Sequence, residues 1–165
     1  MNLEPLLRRV DRLAGGRHAD YTVPSAPEQG PRIRRAFVMI TWLLVAEFLL
    51  GIAAVVVAVV LFLNGDTVSP AVWLRCVVVL GITVTLFYFA WRAQRGYYWA
   101  YSRLRLFSKI FPVVALVLAA IPGLYPLWVV TEQIIFSLIL IGISDYLSSD
   151  YMRAAYPKPA QGQPA

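Results

Sequence analysis

Four apolar segments alternate with short polar ones along the chain, and together they predict its architecture. The longest runs from Phe37 to Leu63 and contains a single charged residue, Glu47. A helix rises about 1.5 Å per residue and about 20 apolar residues cross a bilayer, so this segment is long enough to span one with room for tilt. The other segments cover residues 71–91, 104–121 and 127–147. We therefore predict an all-α integral membrane protein in which residues 36–147 form four transmembrane helices.

The polar pattern at the two ends predicts cytoplasmic segments. Residues 3–14 repeat leucine and valine at helical spacing, and Gly15-Gly16 can end the helix, so residues 1–16 form an amphipathic helix. This helix either lies on the membrane surface, which we favour, or docks onto a partner or the chain's own cytoplasmic loop. Residues 17–35 are a proline-rich basic linker, and residues 148–165 are a largely disordered tail, with the disorder expected beyond Tyr156.

The distribution of basic residues predicts how the chain is oriented in the membrane. The chain is 59% hydrophobic and only 15% charged, with a net charge of +6. With both termini inside the cell, every basic residue except Arg75 falls on the cytoplasmic side, as the positive-inside rule requires. Anionic inner-leaflet lipids then account for the positive charge, and nucleic-acid binding is disfavoured. The arginine- and alanine-rich composition indicates a bacterial plasma (inner) membrane protein.

One basic loop, residues 92–109, interleaves arginines with aromatic residues and contains no acid. Single-strand nucleic-acid binders also combine these residue types. Between two apolar segments, however, the pattern is typical of an interfacial aromatic belt with basic anchors. The predicted membrane-surface anchors are Arg92, Arg95, Tyr97, Tyr98, Trp99, Tyr101, Arg103 and Arg105.

Arg75 and Glu132 lie at similar predicted depths in the outer leaflet. Each is four or five residues from the outer end of an inward-running segment. Intramembrane ionisable residues are costly and usually find a partner. We therefore expect an ion pair between them if the second and fourth helices are neighbours, with Gln133 and Thr131 completing its hydrogen bonds.

Glu47 lies about ten residues inside the first segment, where a carboxyl group without a cation favours its neutral form. Gly51, Ala54 and Ala58 share its helix face, and small residues let helices approach closely. The face therefore points toward another helix, in this chain or in a partner. Hydroxyls of the second segment are its expected partners, namely Thr83, Thr85 and Tyr88.

Two interpretations compete for Glu47, Arg75 and Glu132. They are polar clamps that fix helix packing or bind another membrane subunit, or they form a proton or ion pathway. We favour the clamps, because transporters usually break their helices with glycine or proline at mid-membrane, and here the prolines fall at segment ends.

Candidate chemistry elsewhere is sparse. Asp145 and Asp150 face the basic loop, where we expect ion pairs to Arg92, Arg95 or Arg103. A lipid-modifying enzyme using these two aspartates is a weaker alternative. Cys76 and His18 are single residues without metal-ligand spacing, and the motifs of phosphate loops, serine hydrolases and zinc proteases are absent.

The sequence therefore predicts no catalytic, cofactor or metal site. The function it favours is a non-enzymatic accessory or scaffold subunit of a larger membrane complex, bound to another membrane protein or to itself. The alternative is a small ion- or proton-coupled transporter or channel that uses Glu47, Arg75 and Glu132.

Overall fold

A computed structural model describes residues 21–23 and 30–158. Within these ranges the chain forms helices α1 (Pro31–Leu63), α2 (Pro70–Gln94), α3 (Tyr98–Ala119) and α4 (Leu127–Ser148), and a short α5 (Asp150–Ala155). The predicted amphipathic helix of residues 1–16 lies outside the described residues.

The four long helices form an up-and-down bundle. Each packs along its sequence neighbour, and α4 also packs along α1, so the helices close a ring. Short connections impose this antiparallel order, since 95–97 is the whole link between α2 and α3. In such a ring α1 faces α3 and α2 faces α4 across the centre.

Proline and glycine set the ends of these helices. Pro31 and Pro70 occupy the first turn of α1 and α2, where a missing N–H costs no hydrogen bond. Gly65, after α1, and Gly96, after α2, have φ angles of 88° and 89°. Side chains other than glycine rarely adopt this left-handed conformation, so these residues allow the chain to turn back sharply.

Two helices begin earlier than the apolar pattern predicts. α1 starts at Pro31 inside the predicted linker and carries Arg32, Arg34 and Arg35 in its exposed first turns. α3 starts at Tyr98 rather than near residue 104, because tertiary contacts bury Trp99 and Tyr101. Pro112 lies in the helix interior, and because proline has no N–H one backbone hydrogen bond of α3 is missing.

The tail folds back onto the bundle as far as Tyr156. Met152, Ala155 and Tyr156 are buried in the main core cluster, and α5 carries the first two of them. Their spacing of three and four residues is that of one helix face. The sequence predicts disorder only beyond Tyr156, and residues 159–165, on which most of that prediction falls, lie outside the described part.

The interior contains two apolar clusters of unequal size. The larger fills the middle and the basic end of the bundle, with Ile40, Leu44, Leu86, Leu140 and Ile143 fully buried. The smaller lies at the opposite end and consists of Ala54, Ala58, Val72, Cys76 and Val129.

The outward surface of the bundle is apolar as well. Large hydrophobic side chains are exposed along every long helix. α1, α2 and α4 are each long and apolar enough to cross a membrane. The described chain is thus all-helical with three membrane-compatible helices, which indicates a membrane-embedded, multi-pass protein.

Candidate functional site

The ion pair predicted from depth is present. Arg75 of α2 donates from Nη2 to Glu132 Oε2 of α4, and both side chains are more than nine-tenths buried. The condition attached to the prediction was wrong, because α2 and α4 are not adjacent in the ring but face each other. The long side chains meet across the centre of the bundle, so the pair links two helices whose backbones have few close contacts.

The hydrogen bonds around this pair are incomplete. Arg75 Nε and Nη1, Glu132 Oε1 and Gln133 Oε1 are buried without a hydrogen-bond partner among the described residues. Thr131, expected to assist, is exposed and donates to Leu127 O of its own helix at 3.0 Å. A buried polar atom without a partner is costly. The cluster around Arg75 would therefore gain stability from any group that hydrogen-bonds to these atoms.

Glu47 lies on a different level and contacts a hydroxyl instead of a cation. Its side chain is fully buried, with Oε1 3.3 Å from Thr83 Oγ1 on α2. The same hydroxyl is 2.9 Å from Val79 O, and its one proton serves only one acceptor at a time. If Glu47 is protonated and donates to Thr83, both contacts are satisfied together.

The other two expected partners of Glu47, Thr85 and Tyr88, form hydrogen bonds with other groups. Thr85 is exposed and donates to Gly81 O at 2.8 Å. Tyr88 accepts from Arg92 Nε at 3.5 Å, nearer the basic end. Thr83 is thus the hydrogen-bond partner of Glu47, and Glu47 Oε2 is buried without one.

The small-residue face of α1 packs within this chain. A Cβ placed on Gly51 would lie 2.9 Å from Leu80 Cδ2 of α2, so glycine allows the close approach of the two helices. Ala54 and Ala58 are buried on the same face, in the smaller cluster. The partner helix that the sequence left unassigned is α2.

The aromatic residues of the basic loop form a folded cap rather than a lipid-facing belt. Trp99 and Tyr101 are only 4% and 3% exposed, so the prediction that they anchor the protein in lipid headgroups is wrong. Tyr97 and Tyr98 are half-buried against the same core. The interleaved apolar residues of this loop close the basic end of the bundle.

Tyr101 and Tyr156 form the centre of this cap. Their rings stack with centroids 4.5 Å apart. Tyr101 donates to Leu147 O, and Tyr156 donates to Ala93 O, each at 2.6 Å. Burial raises the pKa of the Tyr156 phenol, and the neighbouring Tyr101 acts in the same direction, so the phenol stays neutral and keeps its donor proton. The tail thereby joins the end of α2 to α4.

The arginines of the basic loop divide into two groups. Arg92 is buried, with its guanidinium 4.8 Å from the Tyr97 ring centroid, and therefore does not act as a surface anchor. Arg95 stacks on Trp91 at 3.8 Å but is itself exposed. Arg103 is exposed, and Arg105 donates to Ser148 Oγ at 3.4 Å. The exposed members retain the geometry of surface anchors.

The acidic residues at this end do not form the expected ion pairs. Asp145 is exposed, and within residues 30–158 no ion pair joins it to Arg92, Arg95 or Arg103. Asp150 lies 4.0 Å from Arg153, one turn along α5. This exposed pair is of the kind that contributes little to stability.

Sequence reasoning missed the cap and its tyrosine. The sequence does contain an indication of this helix, because Met152, Ala155 and Tyr156 repeat at helical spacing. The prolines that follow them led us to interpret the segment as a tail. Across the described residues, no three His, Cys, Asp or Glu side chains form a group that could hold a metal ion. No protein-family model, curated protein or solved structure matches this chain.

Proposed function

We propose that this chain is a four-span protein of a bacterial plasma membrane that acts as a non-enzymatic accessory or scaffold subunit. The main observation in support is a long apolar face of α1 that no other described element covers. Trp42, Leu49, Val56 and Leu63 recur every seven residues along it and are each more than half exposed. We call this set the outer stripe of α1.

The outer stripe suits a helix of another membrane protein. Ala46 and Ala53 lie between its large residues and are exposed too. Alternation of large and small residues lets a neighbouring helix approach closely in lipid. Since the opposite face of α1 packs inside the bundle, α1 has one face for its own chain and one for a partner.

The proposed topology rests on where the basic residues lie. The start of α1, the α2–α3 connection and the segment after α4 share one end of the up-and-down bundle. Exposed basic residues at this end include Arg34, Arg95, Arg103 and Lys158. The other end, at residues 64–69 and 120–126, contains Asp66 and no lysine or arginine. The positive-inside rule then orients both termini toward the cytoplasm, next to anionic lipid.

The fourth span in this proposal is α3. Residues 98–109 of this helix contain Arg103, Arg105 and Lys109, and the residues after Lys109 are apolar. Long basic side chains extend to the headgroup region while their stems stay in contact with apolar surface. Because α3 packs between α2 and α4 along the ring, it shares their depth in the bilayer.

Site-specific photocrosslinking in native membranes tests the accessory role. A photoreactive residue replaces Leu49 of the outer stripe, and a matched variant carries it at Val113, an exposed position on α3. We expect a recurring crosslinked membrane protein, identified by mass spectrometry, from position 49 and not from position 113. A stable monomer in mild detergent that yields no crosslinked protein from position 49 would contradict the proposal.

A second candidate function, a proton- or ion-coupled transporter or channel, is favoured by one specific observation. Buried polar atoms without a hydrogen-bond partner lie at two depths along the bundle axis, on Glu47 and around Arg75. A conducting protein shows flux in liposomes that Glu47→Gln and Glu132→Gln both abolish. Flux that is the same in both variants as in the parent protein would exclude the relay.

A further inference from the structure

A cavity of about 260 Å³ opens sideways between α2 and α3. Leu74 and Val78 of α2 and Val114 and Leu118 of α3 form its exposed rim. Phe136 of α4 is buried and forms part of its inner wall. The cavity therefore connects the outward apolar surface with the interior of the bundle.

The cavity has polar residues at one end only. Arg75 and Gln133 line it, and both are more than nine-tenths buried. Arg75 is five residues from the start of α2, about 7 Å along the axis, and Gln133 is at a similar distance from the start of α4. The lining continues inward as far as Ile82, about 10 Å deeper, through apolar side chains.

This arrangement matches an amphiphile in the membrane leaflet at the less basic end. Its polar group reaches Arg75 and Gln133 near the end of the bundle, and its chain lies along the apolar wall. The volume is slightly below the roughly 300 Å³ of the smallest ordinary ligand sites, so only part of a single chain fits inside. The rest extends past the rim into lipid.

The unused hydrogen-bonding atoms define the headgroup. Arg75 Nε and Nη1 are donors without partners, and Gln133 Oε1 is an acceptor without one. Because these three atoms are buried behind the lining, a head reaches them when the Arg75 and Gln133 side chains turn toward the cavity. Arg75 is already neutralised by Glu132, so an anionic head would compete for the guanidinium and leave one buried anion unpaired. A neutral head that offers both an acceptor and a donor satisfies the site without this cost.

We propose that the cavity between α2 and α3 binds an uncharged single-chain amphiphile with ester and hydroxyl groups, of the monoacylglycerol class. Arg75 donates to its ester or hydroxyl oxygen, and Gln133 accepts from its hydroxyl. The site is independent of the proposed accessory role, since α2, α3 and α4 form it and the outer stripe lies on α1.

Photolabelling with a diazirine-bearing monoacylglycerol tests this site in the full-length protein in lipid nanodiscs. We expect the label on peptides covering residues 71–82 and 111–118. Ala115→Trp fills the cavity and should lose this label, whereas Val113→Trp, on the same helix but outside the lining, should keep it. Equal labelling of the two variants, or a label spread evenly over all exposed helix faces, would overturn the proposal.

Gln133→Leu tests the polar contact without filling the cavity. It should weaken labelling about fivefold, the effect of one lost hydrogen bond. Thr131→Val, an exposed polar position on the same helix, should leave labelling unchanged. Unaltered labelling in Gln133→Leu would show that Gln133 does not recognise the head.

Competition between the probe and unlabelled lipids can be measured in the unmutated protein. This measurement does not depend on whether the variants fold. Unlabelled monooleoylglycerol should displace the probe at a lower concentration than oleate or hexadecane. Equal displacement by hexadecane would show that the head is not recognised, and equal displacement by oleate would refute selection of an uncharged head.

Discussion

Glu132 and Glu47 are both carboxyl groups buried inside one bundle, but their partners differ in kind and in position. Glu132 pairs with the Arg75 guanidinium of the helix facing it across the centre. Glu47 contacts the Thr83 hydroxyl of the adjacent helix. The first contact joins two charges and connects helices that otherwise have few contacts. The second is a single hydrogen bond between helices that already pack closely at Gly51.

Two carboxyl groups that are both buried can therefore contribute differently to the stability of the bundle. Removing one member of a buried charge pair leaves the other charged and without compensation. Removing one member of a neutral hydrogen bond costs less, about 1–3 kcal/mol where the other member stays buried without a partner. The two sites should therefore respond differently to isosteric substitution.

Glu132→Gln should give the largest loss of stability. It leaves Arg75 charged and buried, and breaking such a pair costs about 3–5 kcal/mol. Unfolding by SDS in mixed micelles measures the free energy of unfolding. Adding Arg75→Met to Glu132→Gln should recover much of the loss, because it removes the uncompensated charge. A double variant no more stable than Glu132→Gln would show that the charge is not the cause.

Thr83→Val should have the next largest effect. It removes the hydroxyl beside Glu47 and leaves a second carboxyl oxygen buried without a partner, at a cost of about 1–3 kcal/mol. Thr85→Val is the matched control, because that hydroxyl is exposed and bonds only within its own helix. The control should change the free energy of unfolding by less than about 0.5 kcal/mol. Equal losses in the two variants would show that Thr83 does not support Glu47.

Tyr156→Phe measures the free energy that one neutral hydrogen bond contributes at a position distant from both buried carboxyl groups. Loss of its bond to Ala93 O should cost about 1 kcal/mol in the same unfolding measurement. Tyr151→Phe, at an exposed tyrosine earlier in the same tail, is the control.

The same tyrosine predicts a pH dependence. Burial raises its pKa above the ordinary value of 10.0, so the folded state favours the neutral phenol. The stability that this phenol contributes is complete below pH 10 and is lost as the pH rises above that value. Tyr156→Phe should therefore flatten the alkaline fall in stability, and an unchanged slope would assign that fall to other groups.

Substitution of two glycines should have the smallest effects and tests the close packing beside Glu47. Gly81→Ala has open space around the new methyl group and should stabilise by about 0.5–1 kcal/mol through helix propensity. Gly51→Ala gains the same propensity but displaces the tip of the Leu80 side chain, so its net effect should be a few tenths of a kcal/mol lower. A Gly51→Ala variant as stabilised as Gly81→Ala would show that Leu80 moves freely.

Much of the bundle could be predicted from apolar length and charge. Three helices fall close to the predicted segments, and counting residues from helix ends was enough to place Arg75 and Glu132 at one depth. The sequence could not show that α2 and α4 face each other rather than pack side by side, because ring order depends on contacts between distant segments. Nor could it show that Thr83, and not Thr85, turns inward.

The basic end was predicted less well for a physical reason. Aromatic and basic residues next to an apolar segment have the same composition whether they face headgroups or close a core. The Tyr101 ring is stacked on Tyr156 of the tail, and Trp99 packs edge-on against Phe89 of α2, so tertiary contacts help to bury both residues. Local patterns also placed the start of α3 too late for this reason.

Two double-mutant cycles, measured side by side by unfolding in mixed micelles, test whether the ion pair and the hydroxyl contact differ in strength. One combines Arg75→Met with Glu132→Gln, and the other combines Thr83→Val with Glu47→Leu. We expect a coupling energy of about 2 kcal/mol or more for the ion pair and about 0.6 kcal/mol for the hydroxyl contact. Equal couplings, or a coupling near zero between Arg75 and Glu132, would contradict this expectation.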